Sequence, residues 1–434
     1  MSVPALLPTD VLVLGAGPAG STAATLLARH GIGVTVLGGP PGAGVGASAC
    51  LPPGAVALLE ELGVADTVRS LPHTRPVEGV TFRSQDDTQG VQLPFNEALA
   101  PALPQGLAVH RQELDETLLA LARASAAEVL QGWSAANPVW EGNRLTGVVA
   151  ITPGGTTRQI HARAVLDATG QGAFLASRMG WRFGYPRHRK VALQQWRSAL
   201  QPVAEGASWT TYARLAGGWL WSTPLAGNAV AVSAVLDSPP RSGPPLDAEA
   251  LLAAAARAPS AARLLAATSS PSASALYRDF SYRVMRVAGD GFCLLGDASG
   301  FFDPVVPFGV LAALATAACA AQDVAEAFAR HGRVDAADFG PTIALTRRLH
   351  RLAFALARAL HDPRFHRLLL QPPHRLGLRA ALVSLLAGDV VRDGVWRRSV
   401  RFRALRLLSR VPRVGQGGGS GQPPAAAPAG GGQA

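Results

Sequence analysis

The sequence predicts a mixed α/β fold: a Rossmann-like nucleotide-binding domain, an antiparallel-sheet domain inserted in it, and a helical C-terminal region. Three observations predict it. Near the N-terminus, Asp10-Val-Leu-Val-Leu-Gly-Ala-Gly-Pro-Ala-Gly20 reads as a buried strand turning into a helix. Roughly 280 residues later, the apolar run 292–295 delivers Gly296-Asp297 ahead of a small-residue helix, 310–321. Between them, from about residue 186 to 280, tryptophan and tyrosine recur in short alternating runs of strand type.

Taken in order, 11–14 is a strand, 19–29 a helix, Gly31 its C-terminal cap and 34–37 the next strand of a β-α-β unit. A Gly/Pro-rich loop, 38–53, leads to a helix near 55–62. Residues 108–126 combine a short strand, Arg111 and an amphipathic helix from Leu114. Segments 144–151 and 164–170, joined by a polar turn at 153–157, read as hairpin strands returning to the nucleotide sheet. The inserted domain carries strands at 189–196, 208–213, 219–223 and 229–236, with Ala-rich helices at 246–257 and 260–267. The expected division is 1–185 and 281–335 for the nucleotide domain, 186–280 for the substrate domain and 336–412 for a helical basic region. Residues 413–434, almost all Gly, Pro, Ala, Gln and Ser, are expected to form a disordered tail.

The chemistry lies in the two glycine-rich segments. Gly15, Gly17 and Gly20, with Pro18, Ala19 and Ser21, place backbone N–H groups and a helix N-terminus against a dinucleotide pyrophosphate. That turn serves nicotinamide and flavin proteins alike. The later Gly296-Asp297 narrows the choice, because an Asp at a strand end accepts from a ribitol hydroxyl. The helix opening at Phe308, Gly309 and Val310 would face a flavin ring or phosphate. Early pyrophosphate turn plus late Gly-Asp is the layout of an FAD-binding fold, and FAD is the expected cofactor.

Composition bounds the rest. No uninterrupted apolar stretch reaches the length of a bilayer span. Residues 10–37 lack the basic start of a signal peptide. Cys50, Cys293 and Cys319 form no disulfide framework and no metal spacing, so a cytoplasmic location is expected and no metal. The formal charge of +11 is almost wholly arginine, since Lys190 is the single lysine. Arg347, Arg348, Arg351, Arg358, Arg397, Arg398, Arg401 and Arg403 gather in the C-terminal part. No nucleic-acid module accompanies them, and none is expected as partner. An acidic protein or an anionic membrane surface would suit this face.

These residues resemble the flavin-dependent halogenase and monooxygenase superfamily, whose FAD domain is of the aromatic-hydroxylase type. The resemblance is carried by Gly15-Ala-Gly-Pro-Ala-Gly20-Ser21, Val109-His-Arg111 with Leu114-Asp115, Asp167-Ala-Thr-Gly170, Trp219-Leu-Trp221-Ser-Thr-Pro224 and the segment 296–304. Segments 372–379 and 386–389 are similar to it as well. It implies that Gly15, Gly17 and Gly20 hold the pyrophosphate, that Arg111 lies along the FAD and that Asp297 meets the ribityl chain. It also implies a monooxygenase acting through a flavin C4a-hydroperoxide on an aromatic or electron-rich substrate, free or bound to a carrier or peptide. Trp219 and Trp221 would line that substrate pocket or fill the core of the second sheet. Reduced flavin would come from a separate reductase or from transient NAD(P)H docking.

Three departures bear on this reading. The halogenase lysine belongs near Val77, before Gly79-Val-Thr-Phe82, where none stands; Arg75 is no substitute, because a guanidinium stays protonated. Lys190 is expected at a surface or sheet start. The strand 34–37 ends at Gly38, where an acid would bind the adenosine ribose, and Gly46-Ala47-Ser48 lacks the acid of the family's loop. Pro307-Phe308 replaces a serine-rich step, making the flavin-facing surface more apolar. Two further readings remain: an isoprenoid reductase resembling geranylgeranyl reductases, and a non-catalytic FAD-binding partner protein. No catalytic acid or base stands out, and His110, His161 and His188 are candidates by type alone.

Overall fold

A strand buried on both faces needs apolar residues throughout, and Val11, Leu12, Val13 and Leu14 supply them. In the computed structural model, which describes residues 5–39, 48–201, 208–239, 247–271, 273–372 and 377–392, they lie at the centre of an eight-stranded sheet. The strand Ala5–Leu14 pairs in parallel with Val34–Gly38 on one side and Thr157–Asp167 on the other. Glu128–Gln131 extends the sheet beyond Val34–Gly38, and Phe292–Leu294 extends it beyond Thr157–Asp167. An antiparallel flap, Ser134–Glu141 and Arg144–Ile151, folds onto Thr157–Asp167. The hairpin return is as expected; the strand Ser134–Glu141 is additional.

Helix α1 (Pro18–Arg29) ends with Gly31 at a φ of 74°, whose N–H caps Ala28. Helices α2 (Pro53–Leu62) and α3 (Ala65–Arg69) follow the first crossover. Helix α4 (Arg111–Ala124) begins at Arg111 itself, three residues earlier than the apolar pattern indicated. The short α5 (Phe174–Arg178) closes the loop after Asp167.

The second sheet has seven strands, not four. Its order is Ala273–Arg278, Lys190–Ser198, Ala229–Asp237, Gly218–Pro224, Trp209–Leu215, Gly79–Arg83 and Gly90–Pro94. Gly79–Arg83 joins in parallel beside Trp209–Leu215, bringing residues far upstream into this wall. One face, with Leu193, Leu220 and Val232, packs on α6 (Ala248–Ala255) and α7 (Pro259–Ala266). The opposite face, with Phe82, Tyr212 and Trp219, belongs to the principal core.

After Gly296 the chain makes a 3-10 turn, Gly296–Ser299, and a short strand, Gly300–Phe301, before α8 (Gly309–His331). This helix starts one residue before the expected point and runs ten beyond it. It is long and apolar enough to cross a membrane by composition, yet most of it is buried, packed against α1. Helices α9 (Gly340–His361), α10 (Pro363–Leu370) and α11 (Leu378–Leu386) complete the principal core. Along α9, Leu349, Leu352, Leu356 and Leu360 are buried at helical spacing while Arg347, Arg351 and Arg358 stand exposed. Residues 42–46, Ala47, Arg397, Arg398, Arg401, Arg403 and the 413–434 tail lie outside the described residues.

Candidate active site

The first turn is built for close backbone approach. Gly15 has a φ of 105°, and a Cβ there would stand 2.5 Å from the Ala168 carbonyl oxygen at the end of the neighbouring strand. A Cβ at Gly20 would overlap the Gly15 carbonyl. Gly17 differs: its Cβ would meet only Arg111 Nη2, at 4.0 Å. This is the open side of the turn. Helix α1 starts there with Pro18, Ala19, Gly20 and Ser21 buried, and no side chain caps its N-terminus. A buried, uncapped helix start calls for an outside acceptor, and a pyrophosphate supplies one.

The second segment converges on the same place. Gly296, at a φ of 51°, donates its N–H to Thr316 Oγ1 at 2.9 Å. Its left-handed φ disfavours any side chain, and a Cβ there would stand tightly, 3.2 Å from Ala313, beside Ala19 at 3.6 Å. Burial pushes the Asp297 carboxyl up to about 6, against the Arg111 guanidinium and a hydrogen bond from Gln171. Arg111 therefore lies between Gly17 and Asp297, with its Nε held 2.7 Å from Asp115 Oδ1. Tyr282 Oη donates to the Asp297 carbonyl at 2.6 Å. Asp167 fixes the intervening loop: it accepts from Thr169 N and Oγ1 and from Leu175 N, which positions Gln171. Where the ribose acid is missing, a Cβ on Gly38 would approach Gln131 Oε1 at 3.2 Å, and Gln131 Nε2 donates to the Gly39 carbonyl. These residues fit FAD. The turn has open N–H donors, a cation spans both segments, and a polar amide stands at the strand end.

The start of α8 is less apolar than expected. Phe308 is 4% exposed and sits inside the principal core, so Gly309, with open space around it, is the accessible residue there. Val310 is buried. The two tryptophans part company. Trp219 is 0% exposed; its Nε1–H donates to the Leu360 carbonyl at 3.1 Å, and its ring meets Phe82 and His366 edge-on. It joins the sheet to α9 and α10 and takes the core role. Trp221 is half-buried and stacks on Tyr212, 5.8 Å between centroids.

Beside Arg111 lies a set of groups that only the fold assembles. His110 and Trp196 meet edge to face at 4.6 Å, with His73 5.2 Å from the same indole. His73 Nδ1 is 2.5 Å from Glu113 Oε1. The other carboxylate oxygen, Glu113 Oε2, and the Tyr277 hydroxyl are buried with no hydrogen-bond partner among the described residues. Burial pushes Tyr277 up to about 12, with Arg111 acting against it. Two unpaired polar atoms here mark a place for ligand or water. Nothing in the sequence pointed to His73, Glu113, Trp196 or Tyr277, which come from four separate segments. Burial pushes the Cys50 thiol up to about 11, so it stays protonated and unreactive. His161 pairs with Gln159 on the outer part of the first sheet.

Lys190 is not at the surface. It is 5% exposed, 2.7 Å from Asp237 Oδ1 and 3.4 Å from His361 Nδ1. His361 Nε2 and His188 Nε2 both donate to Asp303 Oδ2, at 2.8 and 2.9 Å. Burial alone would raise the Asp303 carboxyl, but these two donors outweigh it and hold the group well below the usual carboxylate range. The three ligand-type atoms lie within 4.8 Å of one another. A metal-bound imidazole donates its other N–H to an acceptor. His361 Nδ1 instead faces an ammonium, so this is a hydrogen-bonded chain, Lys190 to His361 to Asp303, rather than a cation cage.

Residues 8–337 match the FAD binding domain family. The chain belongs to this family. It is an FAD-dependent oxidoreductase of the flavin-dependent halogenase and monooxygenase superfamily. Among its relatives is the 1H-pyrrole-2-carbonyl-[peptidyl-carrier protein] chlorinase of Pseudomonas fluorescens, 27% identical over 73% of this chain and 76% of that protein. Another is the tryptophan 2-halogenase of Chondromyces crocatus, 28% identical over 76% of this chain and 63% of that one. Among solved structures, a flavoprotein/dehydrogenase from Cytophaga hutchinsonii aligns with a TM-score of 0.82 at 20% identity, over 93% of this chain and 99% of that chain. A flavin-dependent brominase aligns with a TM-score of 0.77 at 22% identity, over 93% and 100%. These two establish the shared fold.

Proposed function

We propose that this enzyme uses reduced FAD, oxygen and a halide ion to replace a ring hydrogen with halogen, with water formed from the oxygen. The ring is an electron-rich aromatic group carried as a thioester on a carrier protein. The observation that carries the reading is the relationship to halogenases over about three quarters of the chain, one of them a chlorinase of a carrier-bound pyrrole. Reduced FAD, when bound, supplies the electrons that activate oxygen. In this reading the protein's own groups do the rest. The uncapped start of α1 binds the pyrophosphate, Arg111 neutralises it, and Asp297 takes the ribityl chain. The face with Trp221, Tyr212 and Trp196 receives the aromatic ring. Substitution of halogen for hydrogen on a ring releases one proton, and His73, oriented by Glu113, is placed to accept it.

Hydroxylation is the second reading, favoured by one observation: strands Arg75–Val77 and Gly79–Arg83 offer no lysine, and the Lys190 amine is tied up by Asp237 and His361. Product mass decides between them. Reduced FAD, oxygen and a pyrrole-2-carbonyl thioester on a peptidyl-carrier protein are supplied with chloride, with bromide, or with neither. Halogen transfer gives products that follow the halide; hydroxylation gives one added oxygen whatever salt is present. Hydrogen peroxide as the only product in every arm would sink both.

A further inference from the structure

Helix α9 carries a cationic stripe. Arg347, Arg351 and Arg358 are exposed and, at spacings of four and seven residues, fall within about 40° of one another around the helix. They span about 17 Å at 1.5 Å per residue. Neither α9 nor α10 contains an Asp or Glu. Some surface arginines elsewhere hold carboxylates: Arg69 with Glu60 and Asp66, Arg163 with Asp10, Arg379 with Glu97. Others, such as Arg178, Arg257 and Arg283, stand exposed without one among the described residues. What sets α9 apart is three such cations in one row. None of the three stripe arginines has a carboxylate partner among the described residues; Arg351 bonds only the Arg347 carbonyl. Arg358 instead lies 5.6 Å over the Phe354 ring. Phe354 in turn contacts Tyr185 and Phe302, at 5.6 and 4.5 Å, and Phe302 belongs to the segment that follows Gly296-Asp297. The Arg358 end of the stripe thus lies over the segment that follows Gly296-Asp297.

We propose that this α9 stripe is the docking face for the acidic carrier protein that presents the substrate. A row of cations with no carboxylate partner among the described residues carries self-repulsion that a partner's carboxylates would relieve. Its contact through Phe354 with Phe302 ties the Arg358 end of the stripe to the segment that follows Gly296-Asp297, from which a tethered group would enter. This rests on the carrier-bound substrate proposed above, and it names the surface that receives the carrier.

The test uses the full chain and the triple variant R347E/R351E/R358E, with a phosphopantetheinylated peptidyl-carrier protein of net negative charge as the probe. Binding is titrated at about 50 mM and about 300 mM salt, a range over which exposed charge pairs are increasingly screened. The wild type is expected to bind at least about tenfold more tightly than the variant at low salt, with the difference shrinking at high salt. Equal binding by the two proteins, or no binding by either, would overturn the docking assignment. So would binding by the wild type to vesicles of about 30% anionic lipid in place of the carrier. A free pyrrole-2-carbonyl thioester separates this from the chemistry. Turnover of the free thioester should be unchanged in the variant, while the KM for the carrier-borne one rises. Loss of both activities together, with FAD binding retained, would also count against a docking role. Failure of the wild type to act on either substrate would refute the proposed reaction and leave the binding result to decide the surface.

Discussion

Gly15 and Asp297 each constrain their segment in a way that a single substitution exposes. At a φ of 105° and 2.5 Å from the Ala168 carbonyl, a side chain at position 15 is both strained and obstructed. Gly15→Ala should cost about 1–3 kcal/mol of stability and lower FAD affinity more than tenfold, read by thermal unfolding and flavin fluorescence. Asp297 carries a pH signature. Its folded carboxyl stands near 6, above the ordinary value of 3.8, so the folded protein binds the proton more tightly than the unfolded chain does. Apoprotein stability should fall as pH rises from about 4 to about 6, and Asp297→Asn should flatten that slope. Melting temperatures measured across that range without FAD would show it; an unchanged slope in the variant would rule Asp297 out as the source. The positions of such residues were legible because their patterns are local. A strand-turn-helix announces its own glycines, and Gly-Asp after an apolar strand announces its carboxylate. The meeting of His73 with Glu113 and Trp196, and the placing of Tyr277 near Arg111, were not, since nothing in their own segments announces them.

Among the elements, the Gly218–Pro224 strand shows how one pattern served two ends. Trp219 and Trp221 share a face, yet the first is sealed beneath α9 and α10 while the second stays half-open against Tyr212. Trp219→Ala should destabilise the protein by about 3–5 kcal/mol, as loss of a large buried aromatic does. Trp221→Ala should leave the melting temperature nearly unchanged and raise the KM for the aromatic substrate. Chemical denaturation beside steady-state kinetics separates the two; similar stability losses would contradict the division. The loop 300–308 is tied to two other elements through Asp303, by His188 at the sheet's start and His361 at the end of α9. The depressed Asp303 carboxyl contributes stability that is present above the unfolded value near 3.8 and lost as pH falls below it. Asp303→Asn should therefore remove part of the acid-side loss of stability, seen in melting curves below pH about 4.

For the molecule as a whole, the sequence made the nucleotide domain readable and the second sheet only partly so. Strands 190–237 alternate visibly, but Gly79–Arg83 enters that sheet by pairing in parallel with Trp209–Leu215, across a separation no local pattern encodes. The burial of Lys190 escapes the sequence for the same reason: a lysine opening a strand reads as exposed until α9 brings His361 over it. Two distant turns meet with Arg111 between them, and the proposed function requires that both hold one nucleotide. A titration of the purified apoprotein with FAD, following flavin fluorescence and melting temperature in the wild type and in Gly15→Ala and Asp297→Ala, tests this directly. Saturable quenching with thermal stabilisation in the wild type, weakened in both variants, is the expected result. Binding unaffected by either substitution, or no binding at all, would contradict it.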